Sequence, residues 1–162
     1  MHYVNAFSYT GWNDKNYNPK YPITPKHQEG IGSMFVWNVD IVDTKVPITA
    51  HGKCQQAFYQ CANLKRIPKL IFDGATTINN MFYNCSNLEE LYCEGTLDIT
   101  GLNLKDSPKL NKASIESVIS ILSTTTTGLS ITLSQTAVNN AFTTDEWNAL
   151  IGTRTNWTIS LV

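Results

Sequence analysis

The chain has 162 residues and 18.1 kDa, one domain's worth of sequence and too little for a large multidomain enzyme. Lys and Arg number 12 against 13 for Asp and Glu, a formal net charge of −1 with no run of like charge, which disfavours a duplex nucleic-acid binder. Charged residues are only 15% of the chain whereas Asn (16) and Thr (19) abound, so the surface is mostly neutral and hydrogen-bonding, while Leu, Ile, Val and Phe supply about a quarter of the residues, enough for a core.

In chain order, residues 1–32 read as an extended N-terminal arm, rich in Asn, Pro and Tyr, and residues 33–162 as the folded domain. Met1 to Thr10 lacks the basic and apolar regions of a signal peptide, and no apolar run approaches the roughly 18 residues that span a bilayer. The arm is unusually aromatic, and Trp12, Tyr17 and Tyr21 are its candidate interface anchors. It either docks on a neighbouring subunit or wraps its own domain's edge, and both readings stay open. Next, the alternation in Met34-Phe-Val-Trp-Asn-Val-Asp-Ile-Val42 predicts a strand, and Val46-Pro47-Ile48 a first rung, so that residues 33–52 form an N-terminal cap.

An internal repeat organises the middle. Cys54-Gln-Gln-Ala-Phe58-Tyr59-Gln-Cys61-Ala-Asn63-Leu64 and Ile78-Asn-Asn-Met-Phe82-Tyr83-Asn-Cys85-Ser-Asn87-Leu88 align at a constant offset of 24. A period in the twenties, with apolar residues at nearly every third position and an Asn beside a Cys, is the arithmetic of a leucine-rich solenoid whose coils stack. Phe58/Phe82, Cys61/Cys85 and Leu64/Leu88 then point inward, and Asn63/Asn87 hydrogen-bond backbone where the coil turns. A degenerate third copy begins near Thr100, with Ser107 in the cysteine's place between Leu104 and Leu110.

Beyond it, Asn111 caps a helix whose Ile115, Val118, Ile119 and Leu122 recur at i, i+3, i+4 and i+7. The tract Thr124–Thr127 with Gly128 breaks it, and Ser130 to Ser134 alternates as a strand. Thr143-Thr144-Asp145-Glu146 has capping-box spacing, Trp147, Leu150 and Ile151 form a buried stripe, and Trp157 to Leu161 alternates again. Strands joined by such helices are expected to be parallel neighbours that continue the repeat sheet. The predicted fold is therefore α/β: a short leucine-rich-repeat solenoid with parallel strands, helix-backed in its C-terminal half, plus an irregular N-terminal arm.

The segments Ala57-Phe-Tyr-Gln-Cys-Ala-Asn-Leu64 and Met81-Phe-Tyr-Asn-Cys-Ser-Asn-Leu88 resemble the BspA-type leucine-rich repeats of bacterial surface proteins and of phages that infect gut bacteria. The stretch from Asp106 to Ile159 looks like the C-terminal tails such proteins carry in phage and prophage genomes, so the resemblance spans about residues 50–162. It implies a non-enzymatic module, with no catalytic residues to carry over, that serves as a structural or binding subunit of a bacteriophage particle: a tail, fibre or surface protein with a role in host attachment. The chain's brevity and lack of a visible anchor favour this over the alternative, a bacterial cell-surface adhesin or protein-protein interaction module. The implied location is the virion, assembled in the host cytoplasm, or else the bacterial surface. The implied partners are other virion proteins, copies of itself as in a trimer, and a host surface protein or glycan, with no nucleic acid and no membrane insertion.

Chemistry is sparse. His51, Cys54 and Cys61 lack the spacing and the fourth ligand of a zinc site, so no metal or cofactor is expected, and Cys61 and Cys85 on adjacent coils read as free buried thiols. The histidines His2, His27 and His51 lie apart from the repeats, no nucleophile or phosphate-loop motif occurs, and Glu89, Glu90, Glu94 and Asp98 read as a solvated coil face. Tyr59 and Tyr83 occupy equivalent positions and predict an aromatic ladder, with Tyr92 nearby. The ladder either faces a sugar ligand or shields the coil edge with its hydroxyls wet. Asn84-Cys-Ser and Asn156-Trp-Thr match the glycosylation sequon, idle in a bacterial or phage source.

Overall fold

Among the described residues, runs of β-branched and aliphatic residues between turn clusters give six strands: β1 (Ile48–Lys53), β2 (Arg66–Thr77), β3 (Glu90–Gly95), β4 (Leu102–Leu104), β5 (Leu129–Leu133) and β6 (Trp157–Leu161). The computed structural model describes residues 19–25, 28 and 30–162, and over these the chain is α/β. All strand pairings are parallel, in two three-stranded sheets of order β1-β2-β3 and β4-β5-β6. Helix α1 (Lys112–Ser120) connects β4 to β5, and helices α2 (Gln135–Ala141) and α3 (Thr144–Ile151) connect β5 to β6. Among the described residues, no helix is long and apolar enough to cross a membrane.

The segments preceding the strands of the first sheet stack on one another. Phe35, Phe58 and Phe82 are fully buried, with ring centroids 5.3 and 5.4 Å apart and planes within 9°. Cys61, Cys85 and Ser107 form a second buried column, in which the Cys61 thiol donates to the Phe35 carbonyl, the Cys85 thiol to the Phe58 carbonyl and the Ser107 hydroxyl to the Cys85 carbonyl. Asn63 and Asn87 donate their side-chain amides to the Val39 and Ala62 carbonyls of the preceding coil, as the repeat predicts.

Residues 34–42 are not a strand. They form turns and belong to the stack as a further coil, because Ser33 and Trp37 adopt φ of 53° and 58°, which extended backbone excludes. Gln56 and Gln60 repeat these values 23 residues later, and Asn80 and Asn84 a further 24. N-terminal to this coil, Ile23 bridges Ile48, and the Lys53 N–H donates to the Gln28 carbonyl, so the described part of the arm covers the outer edge of β1 in cis. Gly52, at φ 64°, permits that approach, since a Cβ there would collide with the Gln28 backbone.

The expectation of one continuing sheet fails after β3. Helix α1 occupies the place of the next strand, and its serines take over the pairing. The Leu91 N–H donates to Ser114 Oγ (2.9 Å), the Cys93 N–H donates to Ser117 Oγ (2.7 Å), and Ser117 Oγ donates back to the Cys93 carbonyl (3.1 Å). A sheet edge is thereby satisfied by hydroxyls, and β4 begins a second sheet.

Asn111 caps α1 by accepting the Ser114 N–H, and Ile115, Val118, Ile119 and Leu122 are buried, as the spacing predicts. Helix α2 is an addition: Ser134, expected to end a strand, instead accepts the Ala137 N–H as an N-cap. Thr143 and Glu146 form the predicted capping box of α3. Trp147, Leu150 and Ile151 are only half-buried, because α3 lies on the outside of the fold, where Trp147 packs on Phe142 at 5.7 Å.

Ser117→Ala strips both bonds from Cys93 and is expected to lower the stability to urea by about 1–3 kcal/mol, whereas the exposed Ser120→Ala changes it by less than ~0.5 kcal/mol. The Lys112 ammonium, 2.7 Å from Glu146, with the Thr143 N–H and hydroxyl, holds that carboxyl down at about 2 against the ordinary 4.5. The charged form is favoured by folding, so this stabilisation is complete above pH 4.5 and disappears as pH falls to about 2. The difference in melting temperature between the native chain and Glu146→Gln, measured from pH 7 downward, therefore closes across that interval.

Candidate functional site

The coil turns that carry the left-handed residues also carry the outward aromatics. Tyr59 and Tyr83 stack at 4.9 Å with planes 13° apart, and Trp37 meets Tyr59 edge-on at 6.1 Å. Tyr83 and Trp37 are 40% and 45% exposed, high for large aromatic side chains, so the strip presents ring surface to solvent. Beside it the amides form their own row: Asn84 Nδ2 donates to Gln60 Oε1 (2.6 Å) and the Asn84 N–H donates to Asp106 Oδ2 (3.1 Å).

At Tyr83 the strip runs into a polar depression. A notch lined by Asn80, Tyr83, Asn103 and Asp106 adjoins a cleft of about 380 Å³ lined by Asn79, Asn80, Gly101, Leu102, Asn103, Ser130 and Thr132. Its floor comes from strand alternation. Leu102, Leu104, Ile131 and Leu133 point into the core, so Asn103, Ser130 and Thr132 point out, and the parallel register sets Asn103 beside Thr132, Thr132 beside Ser160 and Ser130 beside Thr158. Thr100 Oγ1 fastens the rim to Ser130, 2.7 Å from its hydroxyl and 3.1 Å from its carbonyl oxygen. The Lys105 N–H occupies Asn103 Oδ1 (3.1 Å), which leaves the Asn103 NH₂ for the cleft.

The outward face of the first sheet differs in kind. Arg66 lies 3.1 Å from Glu90 and 3.3 Å from Asp43, and Lys69 lies 2.6 Å from Glu94. Such solvated pairs contribute about 0–1 kcal/mol each. Glu90 and Glu94 thus belong to a charge-paired face, whereas every lining residue of the 380 Å³ cleft is neutral.

The predicted site residues fall in three places. Tyr59 and Tyr83 form the ladder. Tyr92 lies on β3, on the same face as Glu90 and Glu94, and joins no ring stack among the described residues. Tyr21 is 79% exposed, and Trp12 and Tyr17 lie outside the described residues. Sequence reasoning missed Asn79, Asn80, Asn103, Ser130 and Thr132. The outward half of each strand's alternation was the available signal, together with the Asn pair that opens the second repeat.

All four cysteines are free and buried. Desolvation pushes the Cys54 thiol up to about 11, the Cys61 thiol up to about 12, and the Cys85 and Cys93 thiols well above the ordinary range. His51 turns its Nδ1 to the Asp73 carbonyl oxygen at 2.6 Å, and among the described residues no three His, Cys, Asp or Glu side chains converge as a metal site. The sequon asparagines are tied down: Asn84 through Gln60, and Asn156 by donating to the Ser123 and Thr126 carbonyls (2.7 and 2.6 Å).

Comparison with protein-family models, with curated proteins and with solved structures yields no match to this chain. The buried columns make a plain prediction. At about pH 8 the folded chain should leave a thiol-specific disulfide reagent unreacted, and all four cysteines should react once it is unfolded.

Proposed function

We infer that the chain is a short leucine-rich-repeat solenoid of the BspA type that acts without catalysis, as a structural and binding subunit of a bacteriophage tail, fibre or surface assembly with a role in host attachment. The observation that carries this reading is the stacking of equivalent residues into columns. Phe35, Phe58 and Phe82 repeat inward and Trp37, Tyr59 and Tyr83 outward, so successive coils display one surface motif again and again. Repetition of a rigid outward motif suits adhesion, in which many weak contacts add, rather than a single reacting centre. The cysteines, the strongest nucleophiles of the described residues, are buried, Cys61 and Cys85 in the stacked column, with raised pKa values, which supports a structural role for them.

Tyr21, together with Trp12 and Tyr17 of the arm, supplies the candidate contacts to a second copy or to another virion protein. A bacterial cell-surface adhesin would use the same outward face and remains the second reading. Light scattering on the purified chain, paired with retention of the labelled chain on bacterial cells, tests the proposal. A mass of three times 18.1 kDa with retention on cells is the expected result. A monomer that binds cells favours the adhesin, and a monomer that binds none overturns both.

A further inference from the structure

The aromatic strip, the notch and the polar cleft form one continuous surface, and its chemistry is selective. The cleft volume of about 380 Å³ lies within the roughly 300–1,000 Å³ usual for small-ligand sites. Its polar groups are amides and hydroxyls, which donate and accept at once, as sugar hydroxyls do. Its lining carries no cation to hold a phosphate, sulfate or carboxylate, and Asp106 in the notch would repel such groups. Within the cleft itself the one aliphatic lining residue, Leu102, is buried in the core, so the cleft presents mainly hydrogen-bonding groups.

Tyr83 contributes what the amides lack. Its ring is exposed, backed by Tyr59 at 4.9 Å, and set in the wall of the notch beside Asn80, Asn103 and Asp106. A pyranose has a flat apolar face of C–H groups and an equatorial fringe of hydroxyls, so it matches an aromatic plane with amide and carboxylate hydrogen-bonding groups at its border.

The site is preformed. Thr100 is bonded to Ser130, Asn103 to the Lys105 backbone and Asn84 to both Gln60 and Asp106, so binding freezes few side chains. Gly101, at φ 108°, keeps the cleft open, since a Cβ there would lie 2.7 Å from Asn79 Oδ1.

We propose that this surface binds a neutral oligosaccharide, with Tyr83 as the stacking platform and Asn80, Asn103, Asp106 and Thr132 as hydrogen-bonding partners. The proposal rests on the reading of the chain as a binding module and names the ligand class of its outward face.

Amide chemical shifts of the full chain, titrated with maltotriose, cellotriose and chitotriose at millimolar concentration, provide the test. At least one of these should perturb Tyr83, Gly101, Asn103 and Thr132 while leaving β1 and β3 unmoved. Thr132→Val preserves shape and strand propensity and should weaken that binding about tenfold, and Tyr83→Ala should abolish it, with unchanged circular dichroism in both. Silence of these residues toward all three saccharides overturns the assignment, as does tighter binding of a sulfated trisaccharide. Should the saccharides leave the spectrum unchanged while the labelled chain still adheres to bacterial cells, the sugar site fails and the attachment reading stands.

Discussion

Each coil depends on the next for its backbone hydrogen bonds as well as for its apolar contacts. At the turns, the Ser33, Phe35 and Trp37 N–H groups donate to the Gln55, Ala57 and Tyr59 carbonyls of the following coil, and Gln56, Phe58 and Gln60 donate likewise to Asn79, Met81 and Tyr83. A lone coil would leave these donors unpaired and its phenylalanine half-exposed, at a cost that local interactions cannot offset. The left-handed residues at both turn positions aim successive N–H groups along the stack, which is why their φ values recur from coil to coil.

Such a stack creates ends, and the two that are visible are closed by different means. At the first, the Ile23 and Gln28 carbonyls accept the Thr49 and Lys53 N–H groups of β1, and the Gly32 N–H donates to the Lys53 carbonyl. At the second, β3 meets helix α1, and Ser114 and Ser117 stand in for the missing strand. Hydroxyls do this well because each can accept from an N–H and donate to a carbonyl at once, as Ser117 does with Cys93. The second sheet is then held to the first through packing of α1 on β3 and through the short parallel bridge of Leu97 with Leu122.

Splitting the sheet also divides the surface by chemistry. The first sheet carries Arg66, Lys69, Glu90 and Glu94 in mutual pairs, whereas the second turns out Asn103, Ser130, Thr132, Thr158 and Ser160. The polar cleft arises at the junction, where the Asn79-Asn80 turn of the first stack borders β4 and β5.

Local signals determined much of this in advance. The 24-residue offset carried the Phe and Cys columns and the Asn63/Asn87 backbone bonds, because identical residues at a fixed period must meet identical neighbours. The Asn111 cap and the Thr143–Glu146 capping box were equally legible, since each is satisfied within four residues. Tertiary structure alone decided the rest. Residues 34–42 alternate as a strand would, yet stacking against Gln55 to Tyr59 bends them into a coil. Helix α2 is seven residues long and only Ala137 and Val138 are buried, too weak a stripe to announce itself. The break after β3 depends on where α1 packs, and the cleft on which outward side chains two separate sheets bring together. Period and caps are properties of neighbouring residues, whereas edges and clefts are properties of surfaces that meet only after the chain has folded.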